Sequence, residues 1–261
     1  MNFDSVPVWA FFFGTIFVVL ASTEAGYRLG KISNRRSDGE KEAPVSGVSG
    51  AILGLTAFML AFSFGIVAER YDARKALVRA DANAIRTAYQ RADFLPETSR
   101  AEARGLLGKY LDLRVAFAQG NSIEPQRVHT LLVETDGIQR RLWAIAVANA
   151  ERDMDSDVGA LYVESLNNVF EVNASRVAIG LQARVPVGVW LVLYGLMILG
   201  MMSIGYHAGI LGSKWSRATL ILALSFAMVI SVIALLDRPG GYVRVTQQPL
   251  VDLQSFIAAG K

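Results

Sequence analysis

Four stretches of this chain are apolar over lengths that water does not favour: Ser5 to Thr23, Ala43 to Ala68, Val185 to about Tyr206, and Ala218 to Leu236. A helix needs about 20 apolar residues to cross a hydrocarbon core about 30 Å thick, and in lipid every backbone polar group has to be satisfied internally. Four membrane-spanning helices are therefore expected. Not all of the chain fits inside a bilayer: 52% of its 261 residues are hydrophobic and the mean hydropathy is only +0.35. A sizeable water-facing part accompanies the spans. The first run carries "VLA" at Val19 to Ala21, which looks like a signal cleavage site. A signal needs a basic leading region, and only Asp4 precedes this run, so it reads as a retained span.

Residues 69–184 separate the second run from the third, with acidic and basic residues in balance. Their pattern is helical. Val128, Leu131, Ile138, Leu142 and Ile145 share one stripe, and Leu106, Tyr110, Leu113 and Phe117 share another. Pro96 stops one helix and the acid-rich "ETSRAEA" starts the next; Ser122 is a candidate N-cap with Pro125 in the first turn; "RDMDSDVG" parts the last two helices. No segment alternates like a strand. The expected fold class is an all-α integral membrane protein: transmembrane helices one and two in 1–68, a helical-bundle extramembrane domain in 69–184 that continues from span two, transmembrane helices three and four in 185–236, and a C-terminal tail in 237–261.

The join at span two is the most informative local sequence. "AFSFGIVAERYDARKA", residues 61–76, passes from no charge to dense charge with no turn signal after Gly65, so one helix is expected to leave the membrane unbroken. Gly50, Gly54, Ala57, Ala61, Gly65 and Ala68 recur at the helical period, and small residues on one face let backbones approach closely in lipid. The same steps then reach Asp72, Lys75, Arg79, Asn83 and Arg86, while Ala73, Leu77, Ala80, Ala84 and Ala88 form a separate apolar face suited to packing in the domain. Two readings of the first face stand side by side. In one it is tight helix packing with a solvated charged face beyond. In the other, symmetry-related copies enclose a pore, with Phe58 and Phe62 beside the small stripe as an apolar constriction and Asp72, Arg79, Asn83 and Arg86 in a polar vestibule.

Other candidates carry less. Asp153, Asp155, Asp157 and Glu164 nearly match a calcium loop, but Val158 stands where the loop needs Gly, so an inter-helix turn with acids at a helix start is expected. Glu24, at the end of span one, is expected to meet interface water or Arg28. Asp237 and Arg238 are expected to pair at the membrane edge, where Pro239 turns the chain. The chain has no Cys, and its two histidines, His129 and His207, have no suitable neighbours, so no metal or cofactor is expected. No nucleophile–base set and no phosphate-cradling loop is present, so the chain does not read as an enzyme. A net charge of +3 and a pI near 9.2 suit basic membrane loops and call for no nucleic-acid partner.

"AERYDARKALVRADANAIRTAYQRADFLP", "LLGKYLDLR", "GYHAGILG" and "LDRPGGYVRVTQQPLVDL" together resemble the bacterial bestrophin-like family, long classed as a domain of unknown function, over nearly the whole chain. A looser similarity links it to true bestrophins, which are pentameric anion channels with four spans, a helical domain between spans two and three, and a long second helix. The resemblance implies a multi-pass protein of the bacterial plasma (inner) membrane, a homo-oligomer with a pentamer as its model, and small ions as passengers. No match to the bestrophins' acidic calcium clasp is found. The expected function is an oligomeric ion channel or pore with an anion preference; the alternative is a non-conducting membrane scaffold or sensor whose helical domain binds a partner.

Loop charges give an orientation. Arg28, Lys31, Arg35, Arg36 and Lys41 follow span one, and Lys214 and Arg217 follow span three, which favours short loops in the cytoplasm with both termini and the helical domain outside. Arg70, Arg74, Lys75 and Arg79 pull the other way, as does the resemblance, because the bestrophin domain is cytosolic. Single cysteines at Ser37 and Gln119 decide between them. A membrane-impermeant maleimide on intact cells should label Gln119→Cys and spare Ser37→Cys; the reverse pattern places the helical domain in the cytosol.

Overall fold

The computed structural model describes residues 6–36, 42–119, 125–182, 184–212, 217–238 and 245–259. Among them are eight α-helices and no strand: α1 (Val8–Arg36), α2 (Glu42–Arg91), α3 (Glu97–Gln119), α4 (Pro125–Ala150), α5 (Asp157–Val177), α6 (Val187–Ile210), α7 (Arg217–Asp237) and α8 (Gln248–Ala259). Segments of α1, α2, α6 and α7 are long and apolar enough to cross a membrane. The four expected spans and the three helices between the second and third are thus present. α2 is one unbroken helix of 50 residues, so the change from apolar to charged sequence occurs within it. By contacts the chain forms two units, Met1–Arg70 with Arg184–Gly241, and Tyr71–Ala183 with Tyr242–Lys261.

In the first unit α1 and α6 run in the same direction and touch backbone to backbone. A Cβ added at Gly26 would overlap the carbonyl of Met202, and one at Gly30 the carbonyl of Tyr206; reciprocally, Gly205 faces the carbonyl of Thr23 and Gly209 that of Tyr27. Lipid tails are as apolar as leucine, so burial alone does not drive helices together in a bilayer; close backbone packing and hydrogen bonds across small residues do. A hydroxyl pair adds to this, Thr15 Oγ1 with Tyr194 OH at 3.0 Å, and a second, Ser49 Oγ with Ser203 Oγ at 2.6 Å, joins α2 to α6. Ala223, Ala227, Ile230 and Ala234 form the buried face of α7, and Thr56, Leu60, Ser63 and Val67 that of α2. Glu24 meets Arg28 at 2.6 Å. Asp237 accepts the Val185 N–H at 3.0 Å and lies 3.6 Å from Arg70 Nη1, while the Arg238 guanidinium sits over the Phe11 ring.

In the second unit the α2 continuation, α3, α4, α5 and α8 share a core that includes Ile85, Leu107, Tyr110, Leu142, Leu166 and Leu250. Of the expected apolar face of α2, Ala84 and Ala88 are buried in it while Ala73, Leu77 and Ala80 are only partly covered, because the buried line runs through Val78 and Ile85 instead. On α3 the buried line runs through Ala103, Leu107, Tyr110, Leu111 and Val115, so Leu106 and Leu113 lie at its edge. The segment read as a tail carries α8, which buries Leu250, Leu253 and Ile257 on one face. Pro249 fits that helix's first turn, where a missing N–H costs nothing. Ser156 caps α5, its Oγ accepting the Gly159 N–H at 3.1 Å, and Glu164 meets Arg91 at 3.0 Å, so "DMDSDVGALYVE" is a turn leading into a helix. Ser122 lies outside the described residues, as does the side chain of Phe117.

The glycine contact predicts that Gly26→Leu or Gly205→Leu forces the α1 and α6 backbones apart. Overpacking costs about 1–3 kcal/mol where neighbours can give, and more where the obstacle is backbone. Either variant should lose most of its folded, detergent-soluble yield on size exclusion, while Gly14→Leu, with open space around it, should not.

Candidate functional site

In the first unit the expected face of α2 points away from its own chain. Gly50, Gly54, Ala57, Phe58, Ala61, Phe62 and Gly65 are all exposed, and no atom stands within 4 Å of a Cβ added at Gly50, Gly54 or Gly65. Phe58 is 64% exposed and Phe62 55%, with their rings stacked at 6.4 Å and 15°. Among the described residues, then, the small stripe of α2 from Gly50 to Gly65 packs against no other helix of its chain. The close packing foreseen for it is made instead by Gly26, Gly30, Gly205 and Gly209 on α1 and α6.

In the second unit Asp72, Arg79, Asn83 and Arg86 are exposed on α2. Asp72 lies 3.4 Å from Lys75 Nζ. The Arg86 guanidinium is 4.4 Å from the ring centroid of Phe256, a cation–π contact that ties this residue to α8. Gln254 Nε2 donates to Asp112 at 2.7 Å on the same helix's flank.

The opposite side of α2 holds a cluster that the sequence reading did not single out. Asp81 is fully buried, and its Oδ2 faces two guanidiniums: Arg176 Nη1 in hydrogen-bond contact and Arg114 Nε at 3.6 Å. Arg114 Nη2 also donates to Tyr110 OH at 2.7 Å and to Asn173 Oδ1, and Arg176 Nη2 donates to Gln247 Oε1 at 3.1 Å. Burial pushes the Tyr110 phenol above its usual range, against the opposing pull of Arg114, so it stays a neutral hydroxyl. Burial lowers Arg176 and Asp81 opposes the shift; guanidinium titrates so far above neutrality that the charge persists. The cluster joins α2 to α3, to α5 and to the residue before α8. Its chemistry is positional: one carboxylate neutralises part of two buried cations and holds three helices in register. The sequence signal for it was a lone acid on the apolar line between Val78 and Ile85. Among the described residues no group of three or more His, Asp or Glu side chains could hold a metal ion.

Removing one member of a buried ion cluster leaves uncompensated charge and costs about 3–5 kcal/mol, whereas replacing the set with apolar groups of similar volume is often close to neutral. Asp81→Leu should therefore lower the thermal midpoint in detergent sharply. The triple variant Asp81→Leu, Arg114→Met, Arg176→Met should recover most of the loss. A triple variant no better than the single would make the cluster a source of stability in itself.

Known proteins agree with this architecture. The chain resembles in fold a bacterial bestrophin homologue from Klebsiella pneumoniae, solved as several single-residue variants. One matches at 16% identity and a TM-score of 0.63, covering 94% of this chain and 98% of that one; another matches at 17% and 0.62, covering 94% and 99%. A structure described as a membrane protein matches at 19% identity and a TM-score of 0.59, covering 95% of this chain and 96% of that one. Among curated protein sequences none matches. The family model for the bestrophin-like domain matches residues 16–250, which takes in most of the first apolar helix, the other three and the helices between them, and the chain is a member of the bestrophin-like domain family.

Proposed function

We propose that this chain forms an oligomeric ion pore in a bacterial plasma membrane, with the outward face of α2 toward its axis and a preference for anions. The observation that carries the reading is that this face is exposed and almost bare, with small residues from Gly50 to Gly65 and two stacked phenyl rings. Large aliphatic side chains serve a lipid-facing helix well; small ones belong where another backbone or a water column comes close. Phe58 and Phe62 then form an apolar neck that excludes ions by dewetting. Arg79 and Arg86, with Asp72 and Asn83 on the same continuing helix, form the vestibule and raise the local anion concentration. Residues 69–184 stand outside the bilayer in this reading, and the family resemblance makes a pentamer the model for assembly. Likeness in fold to structures described as bacterial bestrophin homologues supports it.

One observation favours the scaffold reading. Leu106, Leu113 and Ile138 line an open, mostly apolar groove of about 480 Å³ between α3 and α4, rimmed by Lys109, Asp112 and Glu134, where a partner's apolar side chains could lie.

Anion flux in reconstituted liposomes separates the two. Phe58→Ala and Phe62→Ala should each raise flux several-fold by widening and wetting the neck. Arg79→Glu should shift the reversal potential toward cations, most at low salt, since screening at physiological strength acts beyond about 8 Å. Arg79 is the cleaner probe because Arg86 also holds Phe256. Gly54→Leu should reduce the assembly on size exclusion with light scattering. If wild type and both Phe variants pass no more anion than empty liposomes, the pore reading fails and the scaffold takes its place.

A further inference from the structure

We infer that the membrane unit is an internal duplication, with the hairpins α1–α2 and α6–α7 related by a pseudo-two-fold axis between α1 and α6. The interaction surface each hairpin presents there is self-complementary, and its partner is a second copy of itself. The inference starts from the Thr15–Tyr194 hydrogen bond, whose partners stand 179 residues apart. The same spacing relates Val6, Pro7 and Val8 to Val185, Pro186 and Val187, and "GYRLG" at Gly26 to Gly30 to "GYHAG" at Gly205 to Gly209. It also relates the starts of α1 and α6 at Val8 and Val187. The opening turns repeat the same bond, Ala10 N–H to the Pro7 carbonyl at 2.9 Å and Val189 N–H to the Pro186 carbonyl at 3.0 Å.

Contacts across the pair follow the rule that a two-fold axis imposes, under which residue i meets j′ wherever j meets i′. Equivalent residues face each other on the axis: Phe11 against Trp190, ring centroids 5.4 Å apart, and Thr15 against Tyr194. Off the axis the contacts come in reciprocal pairs. Gly26 meets Met202 while Gly205 meets Thr23, and Gly30 meets Tyr206 while Gly209 meets Tyr27. In each pair the two partners exchange roles at the one spacing. Two parallel helices with no common origin have no reason to repeat a motif in the register that makes their contacts reciprocal. Parallel repeats related by an axis along the membrane normal are a known way of building membrane folds.

The second helices have diverged in a way that bears on the pore. For the second helices the spacing falls to 167, the first hairpin being the longer: aligning Arg70 with Asp237, which lie 3.6 Å apart, sets Thr56, Leu60, Ser63 and Val67 level with Ala223, Ala227, Ile230 and Ala234, buried in both helices. The outward positions Gly54, Ala57, Ala61 and Gly65 then fall level with Ile221, Leu224, Met228 and Val232, all exposed. One copy keeps the bulky surface that suits lipid and the other has lost it. This last step rests on the function proposed above; the duplication itself does not.

Exchange across the axis tests the duplication without reference to conduction. In the full-length chain, Thr15→Tyr and Tyr194→Thr should each lower the thermal midpoint in detergent, by about 2–8 °C if each costs 1–2 kcal/mol. The double variant should regain at least half of the summed loss, because equivalent positions present surroundings related by the two-fold rotation. Phe11→Trp with Trp190→Phe is a gentler exchange that stays informative should the tyrosine swap fail to fold, and it should behave likewise. Losses that simply add in both exchanges would overturn the two-fold relation, whatever the flux measurements show.

Discussion

At four positions where α1 and α6 meet, no side chain larger than hydrogen fits. Gly26 and Gly30 on one helix and Gly205 and Gly209 on the other bring the backbones against each other, and the rest of the membrane unit is arranged around that line. In water such a contact would be a minor addition to a hydrophobic core. In lipid, where apolar burial gives little net drive, van der Waals contact and local polar bonds have to hold the helices together. The Thr15–Tyr194 hydroxyl pair is the polar part of that bond set, and Ser49–Ser203 joins α2 to α6 in the same way. With α1 and α6 joined in this way, α7 and the apolar half of α2 need only one buried face each. Their other faces are left for something outside the chain.

α2 makes a different use of each side. In its apolar half the inner face is Thr56, Leu60, Ser63 and Val67, and the outer face is nearly bare. In its charged half the inner face carries Asp81 among Val78 and Ile85, held by Arg114 and Arg176, while Arg79 and Arg86 stand outside. A helix proposed to line a pore has to be positioned mostly from behind, since its front offers little anchorage beyond the Arg86–Phe256 contact. The buried cluster supplies that anchorage in the second unit. It is a costly kind of anchor, because three desolvated charges repay their burial only when geometry and hydrogen bonds are good. What it supplies in return is registry: Tyr110, Asn173 and Gln247 each add a hydrogen bond that an apolar contact would not specify. The ionic set thus ties α2 both to the next helix, α3, and to α5, whose Arg176 stands 95 residues from Asp81.

Much of this was legible in residue order alone. The four spans follow from apolar run length, the unbroken α2 from the absence of any breaker after Gly65, and the α4 stripe at Leu142 and Ile145 from helical period. These properties are local, so neighbouring residues determine them. The sequence also predicted which face of α2 is small, and part of its apolar face in the second unit, at Ala84 and Ala88, because a helix sets its faces by period. It could not say which small residues meet another backbone. Gly54 and Gly26 look alike in the chain, yet one faces open space and the other a carbonyl of a helix that begins some 160 residues later. Asp81 shows the same division: a lone acid on an apolar line announces that it needs a cation, but Arg114 and Arg176 become its partners only when α3 and α5 pack. α8 was missed because twelve residues after a proline and two glycines carry too little periodicity to stand alone, and its Leu250, Leu253 and Ile257 become a core face only against the bundle. Sequence determined which segments are helical and which faces they offer; tertiary structure decided which faces meet, because pairing depends on the three-dimensional path of the whole chain and not on any one helix.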